Sequence, residues 1–210
     1  MTLEEQVGRG LVSMGISVSP AQQARLVAHL ELVAKWNRVH NLTAVRETSQ
    51  MVVLHLLDSL SILPHLEGAR TIADVGTGPG FPGIPVAIVR EDVRVTLVES
   101  SHKKCAFLQQ ARTELALVNA EIACERVEQF DPPAKFDAVV SRAFSDLPEF
   151  LKLAGRLCAD DGVVVAMKGV YPDEELAQVP ATFKLRAAIP LKVPGLSAER
   201  HLVVLDPAGA

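Results

Sequence analysis

From Ser19 to His40 apolar side chains return every three or four positions, at Leu26, Leu30, Val33 and Trp36, with polar residues between them. That period predicts an amphipathic helix. Its start is written in Ser19-Pro20-Ala21-Gln22: a hydroxyl cap, a proline where no helical N–H is needed, and a Gln three residues on. It ends in KWNRVHNLTAVR, residues 35–46, whose Asn and Thr suit a turn. A further helix is predicted from about Ser49 to Leu63, stopped by Pro64, so residues 1 to about 66 read as helical. From Thr71 the rhythm changes. TIADVG, VRVTLVE, AEIAC, FDAVVSRA and GVVVAMKG read as strands, with helical stretches at about 83–90, 101–118 and 147–158. Alternation of this kind predicts a parallel, doubly wound sheet. FKLRAAIPLKV and RHLVVLD then close the chain with only PGLSAE between them. Two strands without a crossover helix predict an antiparallel hairpin at one edge, whereas an ordinary dinucleotide fold finishes parallel. The expected fold is α/β and Rossmann-like, with a mostly parallel seven-stranded sheet ending in an antiparallel hairpin. Residues 67–210 form this domain, and 1–66 are a helical extension packed on its core.

Composition narrows the classes. A chain of 210 residues, 49% hydrophobic, supports one good-sized core and shows no low-complexity tract or internal repeat. A net charge of −4 and a pI near 5.9 argue against a generally basic nucleic-acid binder but allow a local basic patch. Cys105, Cys124 and Cys158 are odd in number, far apart and in no CxxC or Cys/His cluster. They predict buried free thiols in a reducing compartment, with no zinc site and no disulfide frame. MTLEEQVGRG lacks the plan of a signal peptide, and MVVLHLLDSLSIL is too short, and broken by His55 and Asp58, to span a bilayer. A cytoplasmic protein without membrane contact is expected.

The chemistry concentrates in DVGTGPGFPGIP, residues 74–85, with four glycines and three prolines. Gly76, Gly78, Gly80 and Gly83 follow a strand and open a helix, which places a ligand over the carboxyl end of that strand, against bare backbone. Gly78, Gly80 and Gly83 fit G-x-G-x-x-G, a weak signal alone and compatible with a tight structural turn. Glu99 lies 99 − 76 = 23 residues past the first glycine and ends the next strand, where an acidic side chain accepts ribose hydroxyls. Pyrophosphate is held by N–H groups at a helix N-terminus, and Pro79, Pro82 and Pro85 have none. No Lys-Ser/Thr follows Gly83, so a nucleoside-triphosphate loop is excluded too. A nucleoside bearing a cationic group in place of phosphates fits better: S-adenosylmethionine, with its ribose at Glu99.

The chain closely resembles the RsmG family (glucose-inhibited division protein B) over nearly its whole length. The resemblance is carried by KWNRVHNLTAVR (35–46), HLLDSL (55–60), DVGTGPGFPGIPVAIV (74–89), LVESSHKKCAFL (97–108), RVEQF (126–130), SRAF (141–144), MKG (167–169) and ERHLVV (199–204). Ala198 departs from the glycine the family commonly places before Glu-Arg-His. The resemblance implies a class I S-adenosylmethionine-dependent methyltransferase that modifies N7 of one guanine in a 16S ribosomal RNA loop near the decoding centre. It further implies that Gly76, Gly78 and Phe81 line the cofactor, Glu99 holds the ribose, Val127 and Glu128 frame the adenine, and Arg142 faces the junction of cofactor and substrate.

Absent motifs bear on the reaction. Amino-group methyltransferases commonly carry Asn/Asp-Pro-Pro-aromatic after the fourth strand, where this chain has Ser141-Arg142-Ala143-Phe144. Asp131-Pro132-Pro133 precedes that strand and reads as a loop, and no cysteine stands where a nucleophile for carbon-5 methylation belongs. Guanine N7 has a free lone pair and no proton to lose, so positioning supplies most of the rate. It lies on the major-groove edge, so the base must be unpaired or extruded. Arg142 and Lys168 are the candidates at the reacting centre, through positioning rather than acid–base chemistry; each also has an ordinary reading as a salt bridge. Lys35, Arg38 and Arg46 beside Trp36 form a candidate RNA-facing patch, although Trp36 also fits the core. His55 and Asp58, at i and i+3, read as a structural polar pair joining the helices to the sheet. His102, Lys103 and Lys104 read as solvated, and Arg200 and His201 as flanking the substrate side. The expected partner is 16S rRNA or the small ribosomal subunit, approached by a monomer. A nicotinamide-dependent oxidoreductase and a non-catalytic nucleotide-binding or division-associated module are the competing readings.

Overall fold

The computed structural model describes residues 1–142, 144 and 146–209. Helix α1 (Leu3–Ser13) and helix α2 (Pro20–His40) each open on a capping box, Thr2 with Glu5 and Ser19 with Gln22. Asn41 ends α2 in the left-handed region at φ 48°, which its short polar side chain tolerates. The next helix is not uniform. An α turn, α3 (Thr48–Met51), widens into a π segment over Val52–Leu57 and returns as α4 (Asp58–Leu60), followed by a 3-10 turn at Leu63–Leu66 that includes Pro64.

Seven strands follow: β1 (Thr71–Val75), β2 (Arg94–Val98), β3 (Ala120–Ala123), β4 (Phe136–Ser141), β5 (Cys158–Lys168), β6 (Phe183–Pro190) and β7 (His201–Pro207). Between them lie α5 (Gly83–Val89), α6 (His102–Glu114), α7 (Leu147–Ala154) and the short α8 (Asp173–Leu176). The sheet order is β3-β2-β1-β4-β5-β7-β6; the first five strands run parallel, and β7 is antiparallel to both β5 and β6. The hairpin expected from the sequence is present, but its second strand is inserted inside the sheet, beside β5. That register sets His201 opposite Lys168.

Neighbouring strand residues face opposite sides. Ile72, Val140, Val165 and Val204 belong to a core shared with α1, α2, the π segment, α5 and α6. Ala73, Val139, Val164 and Val203 pack with Phe150, Leu151 and Leu157 on the other face. Such alternation is the period of a strand buried on both sides. The helices at 1–66 thus complete one layer of the sheet's own core rather than enclosing a separate one, since Leu26, Leu30, Met51 and Leu60 share a cluster with Ile84, Leu97 and Phe107.

Candidate active site

The glycine loop leaves β1 and turns on residues in the left-handed region, Gly76 at φ 71°, Gly78 at φ 61° and Gly80 at φ 87°, which side-chain-bearing residues rarely adopt. Its N–H groups are all engaged internally. Gly76 and Thr77 donate to Val98 O, Gly80 and Phe81 to Thr77 O, and Ile84 to Gly80 O. Gly78 N donates to Glu99 Oε2 at 3.0 Å, and Gly83 N to Asp74 Oδ2 at 2.7 Å. With prolines at the remaining positions, the loop offers no free donor to a phosphate.

Glu99, 6% exposed at the end of β2, accepts from Gly78 N and, through Oε1, from Ser101 N at 2.9 Å. Each oxygen keeps a second acceptor site. Lys104 approaches to 3.8 Å. A cavity of about 270 Å³ opens beside it, walled by Gly76, Glu99, Arg126, Val127, Glu128 and Phe144. A Cβ at Gly78 would meet nothing within 4 Å, so the backbone there borders open space. Asp74 is fully buried; Thr77 Oγ1 donates to its Oδ2 at 2.5 Å, while Oδ1 has no partner among the described residues. Burial pushes its carboxyl up to about 6. The cavity, the bare loop backbone, the ribose-ready carboxylate and an orphaned acidic oxygen fit a nucleoside that carries a cation.

A second cavity, of about 410 Å³, lies over the carboxyl ends of β4 and β5 and is lined by Val45, Leu54, His55, Asp58, Arg142, Met167, Lys168, Gly169 and Arg200. Arg142 Nη1 donates to Leu54 O at 3.2 Å and lies 3.4 Å from Asp58 Oδ2, and its guanidinium carbon sits 5.3 Å from the Phe81 ring centroid. Arg200 Nε donates to Asp58 Oδ1 at 3.0 Å. Lys168, 8% exposed, gives Nζ to Glu175 Oε2 at 2.6 Å and approaches Phe144 O at 3.4 Å. Glu175 Oε2 also accepts from Leu147 N, so the α8 segment ties the first turn of α7 to Lys168.

The structure thus divides the residues that the sequence singled out. Gly76, Glu99, Val127 and Glu128 wall the first cavity, with Gly78 bonded to Glu99. Arg142, Lys168 and Arg200 wall the second. Phe81 lines neither cavity; it is buried, facing His29 and His55, with Arg142 over its ring. Ala143, within the Ser141–Phe144 motif, lies outside the described residues. Trp36 packs edge-on against Phe107, half-buried against the core. Lys35 and Arg38 are exposed, and Arg38 and Arg46 line a hollow of about 280 Å³ beside α2. His102 and Lys103 are exposed, and His201 Nδ1 lies 3.0 Å from Gly169 O.

Two expectations are corrected. His55 and Asp58 do not pair with each other: His55 Nε2 bonds Thr43 Oγ1 at 2.8 Å and Asp58 bonds the two arginines. The π segment replaces the α register over Val52–Leu57, so ordinary i, i+3 spacing does not hold there. Of the two residues, it is Asp58 that links this helical segment to the sheet side, beside the bond from Arg142 to Leu54 O. Nor are all three thiols free. Cys105 and Cys124 form a disulfide, with Cα atoms 5.9 Å apart, because β2 and β3 are parallel neighbours and the first turn of α6 lies over the end of β3. Cys158 is free and buried, and burial pushes its thiol up to about 12. His29 carried no sequence signal. Wholly buried on α2, it donates Nε2–H to Pro79 O at 2.9 Å and pins the glycine loop from below, and burial lowers its pKa to about 4.

A mostly parallel seven-stranded sheet with a reversed last strand, carrying cavities over β1, β2, β4 and β5, defines a class I methyltransferase fold. Solved structures share it at low identity. The O-methyltransferase from Bacillus cereus in complex with SAH aligns over 98% of this chain and 100% of its own, with TM-score 0.65 and 17% identity. The O-methyltransferase TomG from Streptomyces achromogenes, in complex with SAM, aligns over 100% of both chains with TM-score 0.63 and 19% identity. The chain belongs to the GidB family, rRNA small subunit methyltransferase G, whose model matches residues 22–203. Ribosomal RNA small subunit methyltransferase G of Nitrosospira multiformis is 58% identical across 97% of each chain, and that of Laribacter hongkongensis 55% identical across 98% of this chain and 99% of its own.

Proposed function

We propose that the protein transfers a methyl group from S-adenosylmethionine to N7 of a guanine in 16S ribosomal RNA, acting in the cytoplasm as a monomer on RNA or the small subunit. The observation that carries this reading is the internally satisfied glycine loop, which has no N–H left for a phosphate and faces a carboxylate, Glu99, at ribose-binding position. S-adenosylmethionine supplies an electrophilic methyl group on a sulfonium. Glu99 accepts the ribose hydroxyls, Val127 and Glu128 flank the adenine, and Gly76 and Gly78 let the methionine portion lie on bare backbone. The second cavity receives the base. There Arg142 and Arg200 present N–H groups to an acceptor-bearing edge, with Lys168 lining the same cavity. Guanine N7 attacks with its own lone pair, so the site needs no general base. This agrees with Cys158 held as a buried thiol and His55 kept neutral, its pKa lowered to about 4 mainly by burial.

Labelled S-adenosylmethionine and small subunits lacking the modification test the reading together. Label is expected in 16S RNA, on guanine N7 by mass spectrometry. Tight cofactor binding with no label in RNA would defeat the proposal, as would NADH binding in a fluorescence titration.

A further inference from the structure

Asp58 is 1% exposed, and among the described residues its carboxylate bonds no group of its own helix. Its two oxygens are divided between two guanidiniums from distant parts of the chain, Oδ1 to Arg200 Nε at 3.0 Å and Oδ2 to Arg142 Nη1 at 3.4 Å. Arg142 directly follows β4 and Arg200 precedes β7, and both side chains are about one fifth exposed, into the same 410 Å³ cavity. Among the described residues lining that cavity, Asp58 is the sole carboxylate. With its oxygens turned to the arginines, the side chains left facing the cavity with charge are hydrogen-bond donors.

A donor-lined wall reads acceptors. Guanine offers N7 and O6 on its Hoogsteen edge, whereas adenine offers N7 and an N6 amine. N7 must stay open to the methyl group, so O6 is the atom left for the arginines. An amine in its place would put donor against donor. We propose that Asp58 is a positioning and specificity-determining residue, fixing the Arg142 and Arg200 forks so that their free N–H groups meet guanine O6. This rests on the reading of the second cavity as the base site. Asp58 also balances charge. As the N7 lone pair forms the new carbon–nitrogen bond, the methyl–sulfur pair returns to sulfur. The positive charge then passes to the purine beside two guanidiniums, and the carboxylate between them offsets that repulsion.

The test compares RNA carrying guanine at the target with RNA carrying 2,6-diaminopurine there, which replaces O6 by an amine. In the wild type this replacement is expected to lower transfer about 10–100-fold, the scale of losing a hydrogen bond to a charged group. Asp58→Asn should lower kcat on guanine by a similar factor and leave S-adenosylmethionine affinity within about twofold, because Asp58 does not wall the first cavity. In that variant the amine replacement should cost little more, because the O6 contact is already lost. Effects that multiply independently, or an Asp58→Asn enzyme with wild-type transfer, would overturn the proposal. If Asp58→Asn does not fold, Arg200→Gln removes one of its partners at a half-buried position, and an undiminished penalty for the amine would overturn it equally. If Arg142→Ala and Arg200→Ala both transfer like wild type, it is the base-site reading that fails; impaired arginine variants beside an unimpaired Asp58→Asn defeat the positioning role alone.

Discussion

Glu99 holds its own loop and walls the cavity proposed for the cofactor. It accepts N–H bonds from Gly78 and Ser101, so the carboxylate is fixed before any ribose arrives and little ordering remains at binding. Glu99→Ala is expected to weaken S-adenosylmethionine binding by about 1–3 kcal/mol; calorimetry finding unchanged affinity with the fold intact would remove it from the ribose. His29 acts on the same loop through stability. Its imidazole is kept neutral down to about pH 4, while an unfolded chain takes up that proton near its ordinary value of 6.5. The unfolded state therefore binds more protons between those values, and stability falls as pH drops from about 6.5 towards 4. Asp74, raised to about 6, acts in the opposite sense: the fold retains a proton that the unfolded chain releases, favouring the fold as pH falls. A difference between variants isolates the histidine. His29→Gln should lose about 2 kcal/mol less than the wild type between pH 7 and 5 in urea unfolding. Parallel losses would mean that His29 takes up a proton in the fold.

Within the glycine loop, two residues five positions apart answer different constraints. A Cβ at Gly83 would collide with Leu97 and lie 2.7 Å from Asp74 Oδ2, the atom that receives the Gly83 N–H. A Cβ at Gly78 meets nothing but needs φ 61°. Gly83→Ala should cost about 1–3 kcal/mol by overpacking β1 against α5 and keep the rise in Tm that ligand gives the folded protein. Gly78→Ala should cost about 1–2 kcal/mol by backbone strain and lose most of that rise, because its N–H sets Glu99. A full ligand shift in Gly78→Ala would separate the loop from the cofactor. The difference between these glycines bounds what the chain alone reveals. Periodicity, caps and loop composition expose α2, the parallel strands and the closing hairpin because those are local. The insertion of β7 beside β5 is not local, and it brings Arg200 to Asp58 across 142 residues. The π segment is legible neither by period nor by composition, and it re-aims Leu54 O and Asp58 towards Arg142. His29 gives no signal either, since a histidine on an apolar helix face has no pattern of its own.

For the whole molecule, the question is how a chain with 21 basic and 25 acidic side chains approaches a polyanion. Its overall charge repels RNA, so attraction must come from local clusters. Arg38 and Arg46 share a hollow beside α2, Lys35 is exposed one turn away, and Val45, next to Arg46, lines the proposed base cavity. These three basic side chains, with Glu47 among them at the hollow, are the proposed RNA-facing patch beside the base cavity. There, phosphate contacts contribute affinity that falls with salt, whereas contacts to a base edge affect which nucleotide reacts. Lys35→Ala with Arg38→Ala removes up to two phosphate contacts and should flatten the slope of log affinity against log salt by up to about 1.4–1.8. Arg142→Ala should abolish most transfer and barely change that slope, because its guanidinium is committed to Asp58, Leu54 O and the face of Phe81. Titrations of ribosomal RNA at several salt concentrations, run beside transfer assays, read both effects. If the double variant binds like wild type at every salt concentration, the RNA reaches the cavity over another surface, and the helical layer serves the sheet's core and the shape of the cavity instead.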